Sequence, residues 1–315
     1  MAQLYANFIK AEMAFQLTYG LYFFALFAYG LCLFAPTFRD EKDRIYQVAR
    51  ILFLAAWLLN AYMLIHRGII AGRAPSKTYY ESLIYFSFIF GLLALVVEWI
   101  KKVRLLGFIS LLIVFSALTY ALNKADIEII TLPPALQSAW FLPHVTIYFA
   151  GYSSVTVAFV VGILALVKPG DRSFEPGSFW ARALGATGAK DATAVNFEKM
   201  NRQWIRFGFL MLACGLITGG TWAKFAWSDY WAWDPKENWG LISWLIYGAV
   251  LHMHYTPAFK GRKAVWASVF AWGFVLFTYF GMGKLPTKSQ SMHLYTEPPA
   301  PGEGETVKGV NKQMY

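Results

Sequence analysis

Cysteine is almost missing from this chain. Its two thiols, Cys32 and Cys214, lie in separate apolar stretches and form no Cys-x-x-Cys pair. A disulfide framework, a zinc knuckle and a covalent cofactor-attachment site within the chain are therefore all unsupported. A buried lone cysteine usually behaves as a small hydrophobe. Charge is scarce as well. Only 15% of the 315 residues are Asp, Glu, Lys or Arg, against about 25% in an ordinary globular protein. Acidic residues are the scarcer sign, 18 against 28 basic, which leaves a formal net charge of +10. No basic run is interleaved with a nucleic-acid-reading motif, so nucleic acid is set aside as a partner. Short cytoplasmic loops of membrane proteins collect Lys and Arg for their own reasons. What fills the chain instead is apolar: 57% hydrophobic residues and a mean hydropathy of +0.43.

That apolar content is organised in runs. Eight stretches approach the ~20 residues that a bilayer-spanning helix needs, near 13–35, 48–66, 80–98, 104–121, 144–167, 204–222, 239–255 and 264–282. They lack the period-two alternation of barrel strands, and lipid offers backbone groups no partner outside a helix or a closed barrel. The expected fold is an all-α polytopic membrane protein of about eight transmembrane helices, occupying residues 1–295. The first run is long enough to span, so it reads as a membrane helix rather than a cleavable leader. Residues 296–315, rich in Pro, Gly and Glu, are too poor in large apolar groups to build a core and read as a disordered tail. The loops after helices one, three, five and seven, with the helix ends that flank them, hold 17 of the Lys and Arg, and the other face holds 11. By the positive-inside rule both termini face outward.

The most informative stretch is 222–244, where six of the thirteen tryptophans fall. Trp222, Trp227, Trp231, Trp233, Trp239 and Trp244 surround Asp234-Pro235-Lys236-Glu237 in what reads as an outer-face loop. Aromatic rings gather at bilayer interfaces in any case. A belt would spread over many helix ends, however, and would not need this charged insert. Flat rings beside a few fixed charges suit a large planar ligand with charged edges, and a porphyrin meets that description.

The string Trp231-Ala-Trp-Asp-Pro-Lys-Glu-Asn-Trp-Gly, running on through Trp244 towards His252, resembles the WWD signature of the heme-handling protein family. Within it, the chain resembles the CcsA/ResC-type branch of the system II cytochrome c synthase. A second patch, Ala71-Gly-Arg-Ala-Pro-Ser with Tyr80-Glu-Ser-Leu, is similar to the family's SGHxPxxNxYES stretch, with Arg73 in place of His and Lys77 in place of Asn. The resemblance covers about residues 50–295. It implies a protein of cytochrome c biogenesis in a bacterial plasma membrane or a thylakoid membrane. Its site would lie on the periplasmic or lumenal face and act as a holocytochrome c synthase (heme lyase) subunit beside a CcsB/ResB-type membrane partner. The implied cargo is heme b and the implied acceptor is the CxxCH segment of apocytochrome c; thiol-reducing proteins act indirectly, on that acceptor's cysteines.

There are five histidines, His66, His144, His252, His254 and His293. An imidazole within a membrane helix is a functional hypothesis by default, and neutral imidazole is a common axial ligand of heme iron. The resemblance implies that His144 and His293 grip the external heme from its two sides. At His293 the family's short Gly-Leu-His-Ser-Tyr ending is replaced by a longer approach, Lys284 to Met292. It further implies a heme ligand in the helix that carries His252, the second ligand coming from the partner subunit. Counted from Gly240, His252 lies roughly 18 Å below the outer surface, a depth at which a buried imidazole wants a metal or a hydrogen-bond partner. His254 reads as interfacial, and His66 reads equally as a lining of the heme path or an interfacial residue. Trp227, Trp231, Trp233 and Trp239 would lay out the ring. Lys236 and Lys224, then Arg67 and Arg73, are candidate partners of the heme propionates. Asp234 and Glu237 would fix the loop by pairing with Lys236 or by bonding backbone amides. Two imidazoles leave the iron no open site for oxygen, and the chain supplies positioning rather than a nucleophile while the acceptor's thiols add to the vinyl groups. Three other readings compete. They are a heme exporter or chaperone subunit of another maturation route, a cytochrome b-type quinol redox subunit, and a transporter with an aromatic binding loop.

Overall fold

In the computed structural model the described residues are 12–35, 42–123, 129, 132–168, 178–184, 195–281 and 285. His293 and the tail 296–315 lie outside them, so the expectations placed there are not addressed. Eight long helices run through the described residues: α1 (Met13–Phe34), α2 (Lys42–Ala71), α3 (Tyr79–Lys101), α4 (Arg104–Asn123), α5 (Phe141–Val167), α6 (Phe197–Trp227), α7 (Pro235–Tyr255) and α8 (Arg262–Leu276), the last continued by a π-turn, Phe277–Gly281. No strand occurs among these residues. Seven of the eight are long and apolar enough to cross a membrane, and the chain is a multi-pass membrane protein. The exception, α7, opens on Lys236, Glu237 and Asn238 and closes on two histidines. It is held between α6 and α8 all the same: Trp244 stacks on Phe209 at 5.0 Å, and the Ser243 and Thr278 hydroxyls lie 2.9 Å apart.

The helices overrun the apolar stretches that announce them. The run at 48–66 is the middle of a 30-residue helix, and the run at 204–222 is the middle of a 31-residue one. At 1.5 Å per residue the latter is about 46 Å long, against a hydrocarbon core of ~30 Å. Hydropathy marks only the part that lipid must solvate, while helical hydrogen bonding continues through polar ends. One correction follows: Trp222, Lys224 and Trp227 belong to the last turns of α6, not to a loop. Only Ser228 to Asp234 separate α6 from α7.

Large apolar side chains point away from the bundle, among them Phe24, Phe27, Ile65, Ile69, Ile217 and Phe270, each more than half exposed. On a soluble protein such a surface would aggregate; on these helices it is the lipid-facing side. Inside, one core joins α1 to α4 and reaches α5, with Tyr22, Phe53, Phe90, Leu111 and Val161 fully buried. A smaller core sits among α5, α6, α7 and α8, around Val155, Ile205, Tyr247 and Val275. The α5–α6 contact is close: Gly208 faces Val155 where an added Cβ would stand 2.6 Å from that side chain.

The ends of α1 to α4 opposite the tryptophans hold a buried ion pair. Arg50 Nε donates to Glu98 Oε2 at 3.3 Å, the Tyr46 hydroxyl donates to Glu98 Oε1, and the guanidinium lies 4.0 Å over the Trp99 ring. Both charged side chains are almost wholly buried. Removing one partner of such a pair strands the other in a low dielectric. Glu98→Ala is expected to cost about 3–5 kcal/mol, seen as a lower thermal unfolding midpoint in detergent. Replacing Arg50 and Glu98 together by Leu is expected to recover much of that loss.

Candidate functional site

The segment between α6 and α7 is short and heavily constrained. At its start Ser228 takes a left-handed conformation (φ 69°) as the C-cap of α6, and Lys224 Nζ donates to Ser228 O at 2.7 Å. At its end Asp234-Pro235-Lys236-Glu237 forms a helix-start unit. Asp234 is the N-cap, its carboxylate accepting the Lys236 N–H at 2.7 Å, and Pro235 occupies the first helical position, where no N–H is needed. Glu237 reaches back, its Oε2 accepting the N–H groups of Asp234 at 3.2 Å and Ala232 at 2.9 Å. Trp233 between them is left-handed (φ 56°), a conformation costly for a bulky residue unless its surroundings enforce it. Asn238 Nδ2 donates to Trp233 O at 2.9 Å and completes that enforcement. The acidic residues of the motif therefore bond backbone amides.

Opposite this segment, His144 sits in the first turn of α5 and lies across α6. Its Nδ1–H donates to Gly215 O at 3.0 Å, a carbonyl that also accepts the Thr218 hydroxyl at 3.2 Å. With Nδ1 as donor, the lone pair of the neutral ring is on Nε2. The ring stacks on Trp222 (5.7 Å, 12°) and meets Tyr148 edge-on (5.3 Å). Glycine makes this possible: a Cβ on Gly219 would stand 2.7 Å from His144 Cε1, and one on Gly215 would stand 2.5 Å from the Tyr148 ring. Trp222 is anchored in turn by donating Nε1–H to Ala135 O at 2.9 Å, in the short 3-10 turn Pro134–Gln137.

His144 lines an open cleft whose empty space, counting its mouth, is about 1100 Å³. Its walls include Phe141, Tyr148, Tyr152, Trp222, Trp231 and Tyr279, with Lys77, Lys236 and Glu237 as charged members. Trp231 Nε1 is buried and has no hydrogen-bond partner among the described residues.

The structure thus brings together His144, Trp231, Lys236 and Glu237, and separates the other residues singled out from sequence. Trp227 stands behind Trp222, edge to face at 4.7 Å. Trp233 turns outward, 69% exposed, with its ring edge-on to Trp231. Trp239 packs on Phe277 at 4.4 Å, fastening α7 to the end of α8. Asp234 is buried as the helix cap. Arg67 and Arg73 stand apart from that group, each with its guanidinium paired to carboxylates of the same chain. Arg67 pairs with Glu12 (2.7 Å) and Glu81 (3.2 Å), and Arg73 pairs with Glu81 (2.9 Å). His66 is half-exposed, stacked on Tyr62, with Nδ1 4.0 Å from Glu12 Oε2.

The two α7 histidines exchange the surroundings expected of them. The helix begins at Pro235, not Gly240, so His252 lies one turn from its far end. Its ring is on the surface of the chain, with Nδ1–H donating to Gly248 O at 2.8 Å. His254, read as interfacial, is 3% exposed, with neither ring nitrogen hydrogen-bonded among the described residues. Residues two apart on a helix differ by about 200°, and sequence alone does not say which of the two faces is covered. Tyr148, Tyr152 and Gly219 were missed as site residues. The four-residue spacing of His144, Tyr148 and Tyr152 along one face of α5 was the available signal.

The comparisons with known proteins agree on one kinship. The model of the cytochrome C assembly protein family matches residues 76–287, which include α3, the cleft and all of α6 to α8. A cytochrome c biogenesis protein CcsA from Guillardia theta is 32% identical over 243 residues, covering 73% of this chain and 79% of that protein. Proteins of the same name from Synechococcus sp. (strain RCC307) and Trieres chinensis are 30% and 27% identical, and cover 78% and 91% of this chain.

Loss of the reach-back carboxylate is expected to loosen the segment locally. Glu237→Ala should cost about 0.5–2 kcal/mol of helix-start stability, seen as faster hydrogen exchange at the Ala232 and Asp234 amides with little change in the global unfolding midpoint.

Proposed function

The chain belongs to the cytochrome c assembly protein family, and from that membership in cytochrome c biogenesis we propose that it holds heme in the cleft at the tryptophan end and presents it to apocytochrome c. The observation that carries this reading is His144. Its Nδ1–H is bonded to a backbone carbonyl, the arrangement that a metal-binding imidazole generally shows, since it fixes the ring and raises the basicity of the other nitrogen. That ring lines a cleft walled mainly by aromatic side chains with a few polar groups among them, the make-up of a small-molecule site. The unpaired Trp231 Nε1 and the Lys236 ammonium give the same cleft a donor and a cation for acid side chains. The residues present therefore suit heme, which brings the iron and the two vinyl groups to which thiols add.

This chain's contribution is placement. Trp222 and Tyr148 hold the imidazole plane, and Gly219 leaves room for it. Glu237 and Asp234 keep Trp231 turned into the cleft by fixing the backbone on either side of Trp233. The apocytochrome's CxxCH segment would supply the thiols, and its histidine would replace a ligand on this chain as the product leaves. His293 is the proposed second ligand at this site. His252 is proposed as a ligand shared with a CcsB/ResB-type membrane subunit; its position on the surface of the chain is where a shared ligand has to be. The excess of Lys and Arg at the opposite helix ends supports a periplasmic or lumenal orientation for the cleft. Heme lyase activity is assigned to the assembly rather than to this chain alone.

His144→Ala, purified in its native assembly, is expected to carry less heme at this site. Outer-shell changes at metal sites already cost 10–100-fold, so holocytochrome c output should fall about tenfold or more. Added imidazole should restore part of it. A Soret band and cytochrome yield equal to those of the unsubstituted protein would overturn the assignment.

A further inference from the structure

The carbonyl that holds His144 is shared. Gly215 lies well inside α6, so its oxygen accepts the helical N–H from four residues on, as any carbonyl in a helix interior does. The same oxygen accepts Nδ1–H of His144 at 3.0 Å and the Thr218 hydroxyl at 3.2 Å. A carbonyl oxygen has two lone pairs. Three donors therefore converge on two places, and the two side chains compete for what the helix leaves. Thr218 is fixed where it competes. Its hydroxyl also donates to Cys214 O at 2.8 Å, the back-bond that a helical threonine commonly makes one turn earlier. One turn of α6 thus supplies the seat of the imidazole and a donor that weakens it, while Gly219 beside Thr218 leaves the ring its space.

Thr218 is half-buried and is not one of the walls of the cleft, so its effect on a ligand passes through His144. The back-bond to Cys214 O on its own would be a matter of helix structure. The second contact, to Gly215 O, connects the hydroxyl to the site. An imidazole whose N–H is held strongly gains basicity at its other nitrogen, and a more basic axial ligand favours ferric over ferrous iron. A rival donor on the accepting oxygen works the other way. We propose that Thr218 is a positioning residue that acts through the Gly215 carbonyl to temper the hold of His144 on iron, so that the ring stays fixed while the cargo stays releasable. Such a role suits a site that must give up what it binds. The proposal rests on the heme reading above and adds to it a residue that sets how tightly this ligand grips.

The test uses the protein in its native assembly. The midpoint potential of the heme at this site is read by spectroelectrochemistry, and ferric heme release by transfer to excess apomyoglobin. Thr218→Val removes the donor and keeps the side-chain shape. It is expected to raise the preference for ferric over ferrous iron about threefold, part of the net value of one neutral hydrogen bond. At ~59 mV per tenfold for one electron, that is a fall of about 30 mV in midpoint potential. Release of ferric heme should slow by a similar factor. Thr218→Ser keeps the donor and should match the unsubstituted protein, and Thr218→Ala should repeat the valine result if that variant does not fold. In heme-free protein the Nδ1 proton of His144 should move downfield in Thr218→Val, the mark of a stronger bond to Gly215. An unchanged potential and release rate in the valine and alanine variants, or the same change in the serine variant, would overturn the role of Thr218 and leave the heme reading in place. An unsubstituted assembly that carries no heme and takes up none would overturn the heme reading, and this role with it.

Discussion

Where α5 crosses α6, glycine stands in place of a side chain and the imidazole of His144 lies against helix backbone. The ring occupies the space that a Cβ on Gly219 would fill, and Nδ1 reaches the carbonyl of Gly215 one turn earlier. The cleft is arranged around this contact. Trp222 covers the imidazole from one side and Tyr148 from another, and the Trp222 indole is tied to the Pro134–Gln137 turn. A wider helix separation would leave the ring free to rotate, and its tautomer would no longer be set. The price of the close approach is a run of glycines in α6, each a little unfavourable in a helix interior and recovered here through tight packing.

Charge is used sparingly and mostly internally. Glu98 and Arg50 neutralise each other at one end of the first four helices, and Glu81 with Glu12 balances Arg67 and Arg73 at the other. Such pairs add little net stability but are expensive to break, so they lock helix ends in place. Glu81 at the same time holds the backbone of Lys77, and Glu237 holds the backbone around Trp233. Glu237 is itself a wall of the cleft, and its Oε2 is taken up by two backbone N–H groups.

Much of this was legible in the sequence. The eight apolar runs marked eight helices because lipid leaves a spanning segment few alternatives, and the tryptophan-rich stretch marked the end where the cleft lies. Helix ends were less legible: α2 and α6 continue through polar residues that hydropathy discounts. The Asp-Pro-Lys-Glu insert is a helix-start signature that sequence alone could have shown. The fate of Arg67 could not be read, since its partners Glu12 and Glu81 come from two other elements. Nor could the exchange between His252 and His254, because the covering of each face of α7 depends on how α6 and α8 flank it. His144 comes from a part of the chain distant from Trp231 and Lys236. Their convergence is a property of the α5, α6 and α7 packing, which no local pattern states.

The central claim is that His144, through Nε2, ligates heme iron together with a second imidazole. It is tested most directly by low-temperature electron paramagnetic resonance of the oxidised protein in its native assembly, with and without isotopic labelling of histidine nitrogen. The account predicts a low-spin ferric signal with coupling to two histidine nitrogens. A high-spin signal, a thiolate-type signal, or a colourless assembly that takes up no added hemin would contradict it.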